Sequence, residues 1–158
     1  SQSGPIAIRY PKYSLKHCEE TACEFVFPRW NVFGDVNSDL YLFAVGCNAL
    51  SACLNVKKAS DNKKVCVINA CCIKPLDNKT LEDLKLEDKI IVTAEEGMLC
   101  GGFGSLIDSY IVENNIRPKK VIHKGVEDCF VSHATIEEQI EAIGITEKGI
   151  MSAVIDSL

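Results

Sequence analysis

Short apolar runs alternate with amphipathic stretches along most of this 158-residue chain. We predict strands at residues 5–9, 39–45, 64–70, 89–94 and 120–123. The runs at residues 40–45 and 90–92 show no polar alternation, which is typical of parallel strands that helices cover on both faces. The pattern therefore predicts an α/β fold with three layers (αβα) and an open, mostly parallel sheet.

Periodic apolar positions between and after these strands predict five helices. Capping residues mark two of the starts. Asp77 or Asn78 can cap a short second helix, and Thr135 with Glu138 has the spacing of a capping box. The helices are expected at about residues 48–59, after residue 77 or 78, from the glycine-rich residues 101–104, after residue 135, and from about residue 146 to the end.

Residues 10–38 fit this alternation poorly, because they hold two prolines, a tryptophan and two cysteines without a sustained period. Such a change in composition is typical of a boundary between domains. We therefore predict that residues 1–12 are the end of a preceding domain, that residues 13–38 are a linker, and that residues 39–158 are the α/β domain.

Composition and charge argue against several classes of binding partner. The chain is 47% hydrophobic, but no apolar run approaches the ~20 residues that a membrane span needs, and the first residues lack the basic and apolar regions of a secretion signal. The formal net charge of −5 argues against a nucleic-acid surface, which would carry clustered lysine and arginine. We expect a domain that is not secreted and that binds neither nucleic acid nor membranes.

Nine cysteines are scattered through the predicted core elements, and no two of them form a Cys-x-x-Cys pair. The odd number argues against a disulfide framework, and the lack of close pairs argues against a zinc site. His17, Cys18 and Cys23 come nearest to a metal cluster, but a fourth ligand is missing. We predict no metal site and expect most of the cysteines to be buried, reduced thiols.

Glu95 and Glu96 end an apolar strand and are followed by residues 101–105 (Gly-Gly-Phe-Gly-Ser) and then by a helix. The carboxyl ends of parallel strands form the ligand crevice of open α/β sheets, so we predict the functional edge of the domain here. The glycines either let backbone amides bind an anion or allow close packing of the loop or a subunit contact. The lack of a phosphate-loop lysine argues against the anion site. Acid–base catalysis by the glutamates is disfavoured, since neighbours in an extended chain point to opposite faces.

Two histidines and one further motif have ordinary structural interpretations. His123 and His133 each lack a designated nucleophile, so we expect both to be structural. In residues 74–77 (Lys-Pro-Leu-Asp), Pro75 fixes a turn and Asp77 is available as a helix cap.

Five short motifs follow one another along the chain, at residues 4–11 (Gly-Pro-Ile-Ala-Ile-Arg-Tyr-Pro), 74–77 (Lys-Pro-Leu-Asp), 93–97 (Thr-Ala-Glu-Glu-Gly), 101–105 (Gly-Gly-Phe-Gly-Ser) and 130–133 (Phe-Val-Ser-His). Their order and spacing resemble the C-terminal part of the 1-deoxy-D-xylulose-5-phosphate synthase family. The resemblance covers nearly the whole chain except about residues 13–38. A looser resemblance extends to the C-terminal domains of transketolases and of the β subunits of 2-oxo acid dehydrogenases.

The resemblance implies a transketolase C-terminal-domain-like fold, with residues 1–12 as the last strand of a preceding pyrimidine-binding domain. It also implies an enzyme that uses thiamine diphosphate and Mg²⁺ to make 1-deoxyxylulose 5-phosphate and carbon dioxide from pyruvate and glyceraldehyde 3-phosphate, for isoprenoid precursor synthesis. The implied partners are these small-molecule substrates, the upstream domains of the same chain, and a second copy in a homodimer.

The cofactor-binding motifs of that family have no counterpart in this chain. The family's diphosphate motif is Gly-Asp-Gly with a later Asn-Asn type element, and Gly34-Asp35 and Asn114-Asn115 match it neither in sequence nor in spacing. We therefore expect this chain alone to bind no cofactor, to hold no catalytic residue and to be inactive. Its expected contribution is dimer architecture and one wall of the substrate crevice.

Arg9 and Lys12 are the only substrate contacts that the resemblance implies. The family motif usually reads Arg-Tyr-Pro-Arg-Gly, and its second arginine is associated with the phosphate of the aldehyde substrate. Lys12 stands at that position here, which keeps the charge but loses the bidentate geometry of arginine. Cys71 also stands where bacterial members commonly have arginine. With a lysine-rich composition, these departures favour a eukaryotic, apicoplast-like plastid; a bacterial version would be cytoplasmic.

Two alternatives stay open. The chain is the C-terminal domain of a transketolase or of a 2-oxo acid dehydrogenase β subunit, or it is a free-standing α/β binding module without catalytic chemistry. The coding sequence upstream of Ser1 tests these alternatives, because the synthase family carries its diphosphate motif on the same polypeptide whereas a dehydrogenase β subunit does not. An upstream reading frame that ends at Ser1 would favour the free-standing module, and a continuous longer frame would exclude it.

Overall fold

The computed structural model describes residues 4–7, 26–60 and 64–155. The strands are β1 (Asn31–Phe33), β2 (Leu40–Val45), β3 (Val65–Asn69), β4 (Ile90–Met98) and β5 (Lys120–Val126). The helices are α1 (Cys47–Ala59), α2 (Asn78–Leu84), α3 (Phe103–Glu113), α4 (Ile136–Ala142) and α5 (Glu147–Ile155). The strands form one sheet in the order β1-β3-β2-β4-β5.

Four of these strands run parallel, and β1, at one edge of the sheet, is antiparallel to β3. The register places Leu42 of β2 between Val67 of β3 and Val92 of β4. Parallel neighbours require a crossover between them, and α1, α2 and α3 supply these connections. The predicted open, mostly parallel sheet is confirmed.

Apolar side chains fill the space on both faces of the sheet. On one face, α1 and α5 pack against a cluster that includes Leu42 and Val92. On the other face, α2 and α3 pack against a cluster that includes Phe43 and Ile91. Because successive side chains of a strand point to opposite faces, β2 and the first half of β4 are apolar at nearly every position. The three-layer αβα prediction is confirmed.

The strand predictions succeeded for β2, β3, β4 and β5, which overlap the predicted ranges. β4 continues to Met98 and β5 to Val126, so both extend beyond their predicted ends. The strand predicted at residues 5–9 is not found at residues 5–7, which form no strand, and residues 8–9 lie outside the described part of the chain.

β1 was not predicted from the sequence, because three residues are too few to show a period. Trp30, just before β1, is 5% exposed, and its ring lies edge-on to Phe43 and Phe103 with centroids 5.9 and 5.7 Å away. β1 lies inside the range predicted to be a linker, so the end of that range belongs to the sheet. The division of the whole chain into three parts stays a prediction.

The five predicted helices are all present in the described residues. Asp77 is the N-cap of α2, and Thr135 and Glu138 form the predicted capping box of α4. α5 begins close to the predicted position and buries Ile150, and the predicted end of this helix, at residues 156–158, lies outside the described residues. None of the described helices is both long and apolar enough to cross a membrane.

Candidate functional site

The parallel strands β2, β3, β4 and β5 end at one side of the sheet, which we call the carboxyl edge. α1 begins two residues after β2 and α3 begins five residues after β4, so both helices start at this edge. Glu95 and Glu96 lie near the end of β4, the longest strand among the described residues. The predicted functional edge therefore brings the two glutamates to the N-termini of two helices.

Glu95 is buried, with 4% of its surface exposed. Its carboxylate accepts hydrogen bonds from the backbone N–H groups of Phe103 (2.8 Å) and Gly104 (3.0 Å), in the first turn of α3. Gly102, the residue before this helix, has no capping side chain, and a Cβ there would overlap both the Glu95 carboxylate and the carbonyl oxygen of Met98. Glu95 therefore caps α3, where a carboxylate also meets the favourable end of the helix dipole.

Glu96 has the same function on the opposite face. Its carboxylate accepts hydrogen bonds from the backbone N–H groups of Asn48 (2.6 Å) and Ala49 (3.3 Å), and from the side-chain amide of Asn48 (3.0 Å). The residue before α1 is Gly46, with φ +104°, and a Cβ at this position would overlap the Glu96 carboxylate. Glu96 therefore caps α1, and the approach of the two groups requires glycine at position 46.

These contacts decide between the interpretations of the glycine-rich loop. The amides that an external anion would bind at the start of α3 already bind Glu95, so the interpretation as an anion site is wrong and close packing of the loop is confirmed. The two carboxylates face opposite sides of the sheet and do not form an acid–base pair. Neither cap was predicted from the sequence. Gly46 and Gly102 were a usable signal, because a helix that follows a glycine needs a capping group from elsewhere.

His123 lies within β5 and contacts both β4 and α3. Its Nδ1 lies 2.7 Å from the hydroxyl of Thr93, and its Nε2 lies 3.0 Å from a carboxylate oxygen of Asp108. Thr93 is fully buried, and a Cβ at Gly104 would overlap the His123 ring. His123 is therefore a structural histidine, as expected. His133 is exposed in the loop before α4.

Two cavities lie side by side at the carboxyl edge, next to β5. One has a volume of about 300 Å³ and is bordered by Lys124. The other has a volume of about 230 Å³ and is bordered by Glu96. They share walls formed by Val126, Val131 and Ile143. Both are at or below the usual lower limit for ligand pockets, ~300 Å³.

Asp77, in the motif at residues 74–77, is 2% exposed and connects α2 to the start of β1. Its carboxylate accepts hydrogen bonds from the backbone N–H groups of Trp30 (2.9 Å) and Thr80 (3.1 Å) and from the Thr80 hydroxyl (2.6 Å), and it pairs with Arg29 at 3.3 Å. Burial raises the pKa of Asp77, but hydrogen bonds from Thr80 and Trp30 outweigh burial and hold it below its ordinary value of 3.8. The structural interpretation of this motif is confirmed.

Arg9 and Lys12, the two substrate contacts implied by the resemblance, lie outside the described residues, as do His17, Cys18 and Cys23. Their roles stay predictions. Within the described residues, no group of three histidine, cysteine, aspartate or glutamate side chains is placed to hold a metal ion. The described part of the carboxyl edge therefore supplies neither a metal centre nor a free carboxylate pair.

Comparison with known proteins gives concordant results. A family model described as "Transketolase, C-terminal domain" matches residues 30–150. The 1-deoxy-D-xylulose-5-phosphate synthase of Clostridium tetani is 30% identical over 156 residues, which cover 98% of this chain and 25% of that protein. The corresponding synthase of a Geobacillus species is 33% identical over 155 residues, which cover 96% and 24%. The chain thus spans about a quarter of the length of these curated relatives.

Among solved structures, one described as "Split gene transketolase, inactive beta4 tetramer" superposes with a TM-score of 0.73 and 27% sequence identity. The superposition covers 86% of this chain and 44% of that chain. The similarity in fold therefore extends over most of this chain.

Proposed function

This chain belongs to the transketolase C-terminal domain family, and from that premise we propose that it is the C-terminal domain of a 1-deoxy-D-xylulose-5-phosphate synthase. The proposed whole enzyme is a thiamine-diphosphate-dependent transferase. It joins pyruvate to glyceraldehyde 3-phosphate, releases the pyruvate carboxylate as carbon dioxide, and gives 1-deoxyxylulose 5-phosphate for isoprenoid precursor synthesis.

The observation that carries this proposal is how far the similarity extends. The family model covers residues 30–150, whereas the Clostridium tetani synthase aligns over 98% of the chain. That alignment must include most of the residues before 30, which lie outside the shared domain. The similarity to the synthases therefore extends into the segment that holds Arg9 and Lys12.

In this proposal the domain has an architectural role, as one wall of the substrate crevice and as part of a homodimer. The commitment of Glu95 and Glu96 to helix N-termini supports the first role, because it leaves this pair unavailable for proton transfer. The description of the structural neighbour as a tetramer of β chains supports the second role by analogy.

Thiamine diphosphate and Mg²⁺ belong to the upstream domains in this proposal. When bound, the cofactor supplies the carbon nucleophile that the decarboxylation of pyruvate needs. The described residues of this chain do not fit the cofactor, since their paired carboxylates already bind amides and they contain no cluster for a metal. Titration calorimetry of this chain with thiamine diphosphate and Mg²⁺ should show no specific binding, and a micromolar Kd would contradict the assignment.

Arg9 and Lys12 are the proposed contacts for the phosphate of glyceraldehyde 3-phosphate. In the complete enzyme, Lys12→Ala should raise the KM for glyceraldehyde 3-phosphate by about tenfold, as expected for a lost charge-assisted contact, and leave the KM for pyruvate nearly unchanged. Lys12→Arg is the matched control and should keep or lower the first KM. Equal effects of Lys12→Ala on both substrates would remove Lys12 from the phosphate site.

The transketolase assignment is the second candidate, because the superposed structure carries that name. The product formed from pyruvate and glyceraldehyde 3-phosphate distinguishes the two, because a transketolase transfers a two-carbon unit from a ketose phosphate and makes no 1-deoxyxylulose 5-phosphate. A plastid location is also part of the proposal and rests on the lysine-rich composition and on Cys71. Imaging of the tagged complete protein tests it, and a cytosolic signal in a plastid-bearing cell would contradict it.

A further inference from the structure

Residues 127–144, which connect β5 to α5, include no buried residue. They form the loop after β5, the helix α4 and the turn that ends at Gly144. Both flanks are fixed in the fold, because Val126 is in register with Met98 in the sheet and Ile145 is only 1% exposed. We call residues 127–144 the strap.

The hydrogen bonds of the strap join its own residues. Thr135 and Glu138 form the capping box of α4, and the side-chain amide of Gln139 donates to the carbonyl oxygen of Ser132 at 3.2 Å. In the part of the chain that the structure describes, no hydrogen bond or ion pair joins the strap to a strand or to another helix. Displacement of the strap therefore breaks no hydrogen bond to the sheet, to α1 or to α5.

The two cavities at the carboxyl edge lie against the strap. The larger, about 300 Å³, is bordered by Ile143 of the strap and by Lys124 of β5. The smaller, about 230 Å³, is bordered by the same Ile143 and by Glu96 of β4. Well-packed protein interiors contain few voids larger than a water molecule. The strap is therefore loosely packed on the edge that it covers.

α4 depends on this loose packing for its stability. It has only seven residues, and isolated helices shorter than ~12–15 residues are marginal in water. The strap packs on the cluster around α1 and α5 through Ile140 and Ile143, which are only partly buried. α1, in contrast, buries several side chains, including Leu50 and Cys53. Because segments with few buried apolar contacts open at a lower free energy than the core, the strap should open before α1 does.

We propose that the strap opens and closes as one unit while the rest of the domain stays folded. Opening removes Ile143, which borders both cavities, and uncovers the carboxyl edge at Glu96 and Lys124. Gly144, with φ +71°, gives the strap a turn at its C-terminal end that a side chain would strain. The strap is thus a movable cover of this edge, and the inference does not rest on the proposed function.

Hydrogen-exchange mass spectrometry of the complete polypeptide tests the proposal. Amides of residues 139–144 in the strap should exchange at least about 100-fold faster than the helical amides of residues 51–58 in α1. Low concentrations of urea should hardly change the exchange of the strap, because its opening exposes little surface. Exchange of the strap as slow as that of α1, or with the same urea dependence, would overturn the proposal.

Two glycines with the same backbone conformation provide a matched pair of variants. Gly144→Ala strains the closed turn, but its methyl group would be 3.6 Å from Lys124, which is an ordinary contact. It should speed the exchange of α4 about fivefold and leave α1 unchanged. Gly101→Ala is the control, because Gly101 also has φ +71°, lies outside the strap and has no atom near its added methyl group. Equal acceleration of α4 and α1 in Gly144→Ala would overturn the proposal, because the strap and the core would then open together.

Proteolysis of the native complete polypeptide gives an independent test. A glutamate-specific protease should cut at Glu137 or Glu141 in α4, since cleavage of a helix requires its local unfolding. Glu82 in α2 is also exposed and should be cut at least about tenfold more slowly, because α2 packs on the core. Mass spectrometry assigns the sites. Cleavage in α4 that appears only in urea at concentrations that unfold the whole domain would overturn the proposal.

Discussion

Glu95 and Glu96 are adjacent in β4, yet their carboxylates bind the N-termini of different helices on opposite faces of the sheet. The alternation of side chains along a strand directs one carboxylate to α3 and the other to α1. Each helix follows a glycine that offers no cap of its own. Two adjacent glutamates therefore cap one helix on each face of the sheet. This capping is a structural explanation for the acidic motif of the chain.

Removal of the buried carboxylate of Glu95 should destabilise the fold more than removal of the Glu96 carboxylate. Glu95→Ala should lower the free energy of unfolding by about 2–4 kcal/mol, because two buried amides lose a charged acceptor. Glu96→Ala should cost less, since Glu96 is only partly buried. Urea denaturation measures both, with Glu113→Ala at an exposed helix end as the control. A loss at Glu95 no larger than that at Glu113 would contradict the capping role.

Substitution of Gly102, the glycine before α3, should also destabilise the fold. A methyl group on Gly102 would overlap the carbonyl oxygen of Met98 and the Glu95 carboxylate, so Gly102→Ala should destabilise the fold by about 1–3 kcal/mol. Gly97→Ala is the matched control, because its new methyl group would be 3.5 Å from the nearest atom, an ordinary contact. Thermal unfolding should show a lower Tm for the first variant only. Equal Tm values would show that the loop relaxes without cost.

The success of the strand predictions, and the failure at β1 and the caps, have physical reasons. β2 and the first half of β4 were predictable because both faces of these segments are buried in apolar clusters, which favours apolar residues at nearly every position. β1 was not, because its position depends on remote contacts such as the bond from the Trp30 indole N–H to the carbonyl oxygen of Cys72, at 2.7 Å. The cap of α3 was missed because Glu95 and Phe103 meet only when the strand and helix are packed.

Asp77 should make the stability depend on pH. Its pKa in the folded state is below the ordinary 3.8, so its contribution is complete above that value and is lost as pH falls through the lower, folded-state pKa. The free energy of unfolding should therefore fall more steeply below about pH 4 in the wild type than in Asp77→Asn. Urea denaturation across this range measures both slopes. Parallel slopes would mean that Asp77 titrates normally.

Of the seven cysteines in the described residues, four are exposed and three are buried, so the expectation that most would be buried is wrong for this part of the chain. The buried thiols should be unreactive in the native state. Burial raises the pKa of Cys53 to about 12 and that of Cys66 to about 11, which suppresses the reactive thiolate. Iodoacetamide at about pH 8 should modify the exposed Cys100 and Cys129, and should modify Cys53 and Cys66 only after denaturation. Peptide mass spectrometry assigns each site. Rapid native labelling of Cys53 would indicate an open core.

The most direct measurement is product identification with the complete polypeptide, Mg²⁺ and thiamine diphosphate. Pyruvate labelled with carbon-13 at its methyl group is supplied with glyceraldehyde 3-phosphate, and the products are identified by NMR. We expect labelled 1-deoxyxylulose 5-phosphate, with carbon dioxide released from the unlabelled carboxylate. Transfer of a two-carbon unit from a ketose phosphate, or acyl transfer to a lipoyl group, without any 1-deoxyxylulose 5-phosphate would contradict the proposed function.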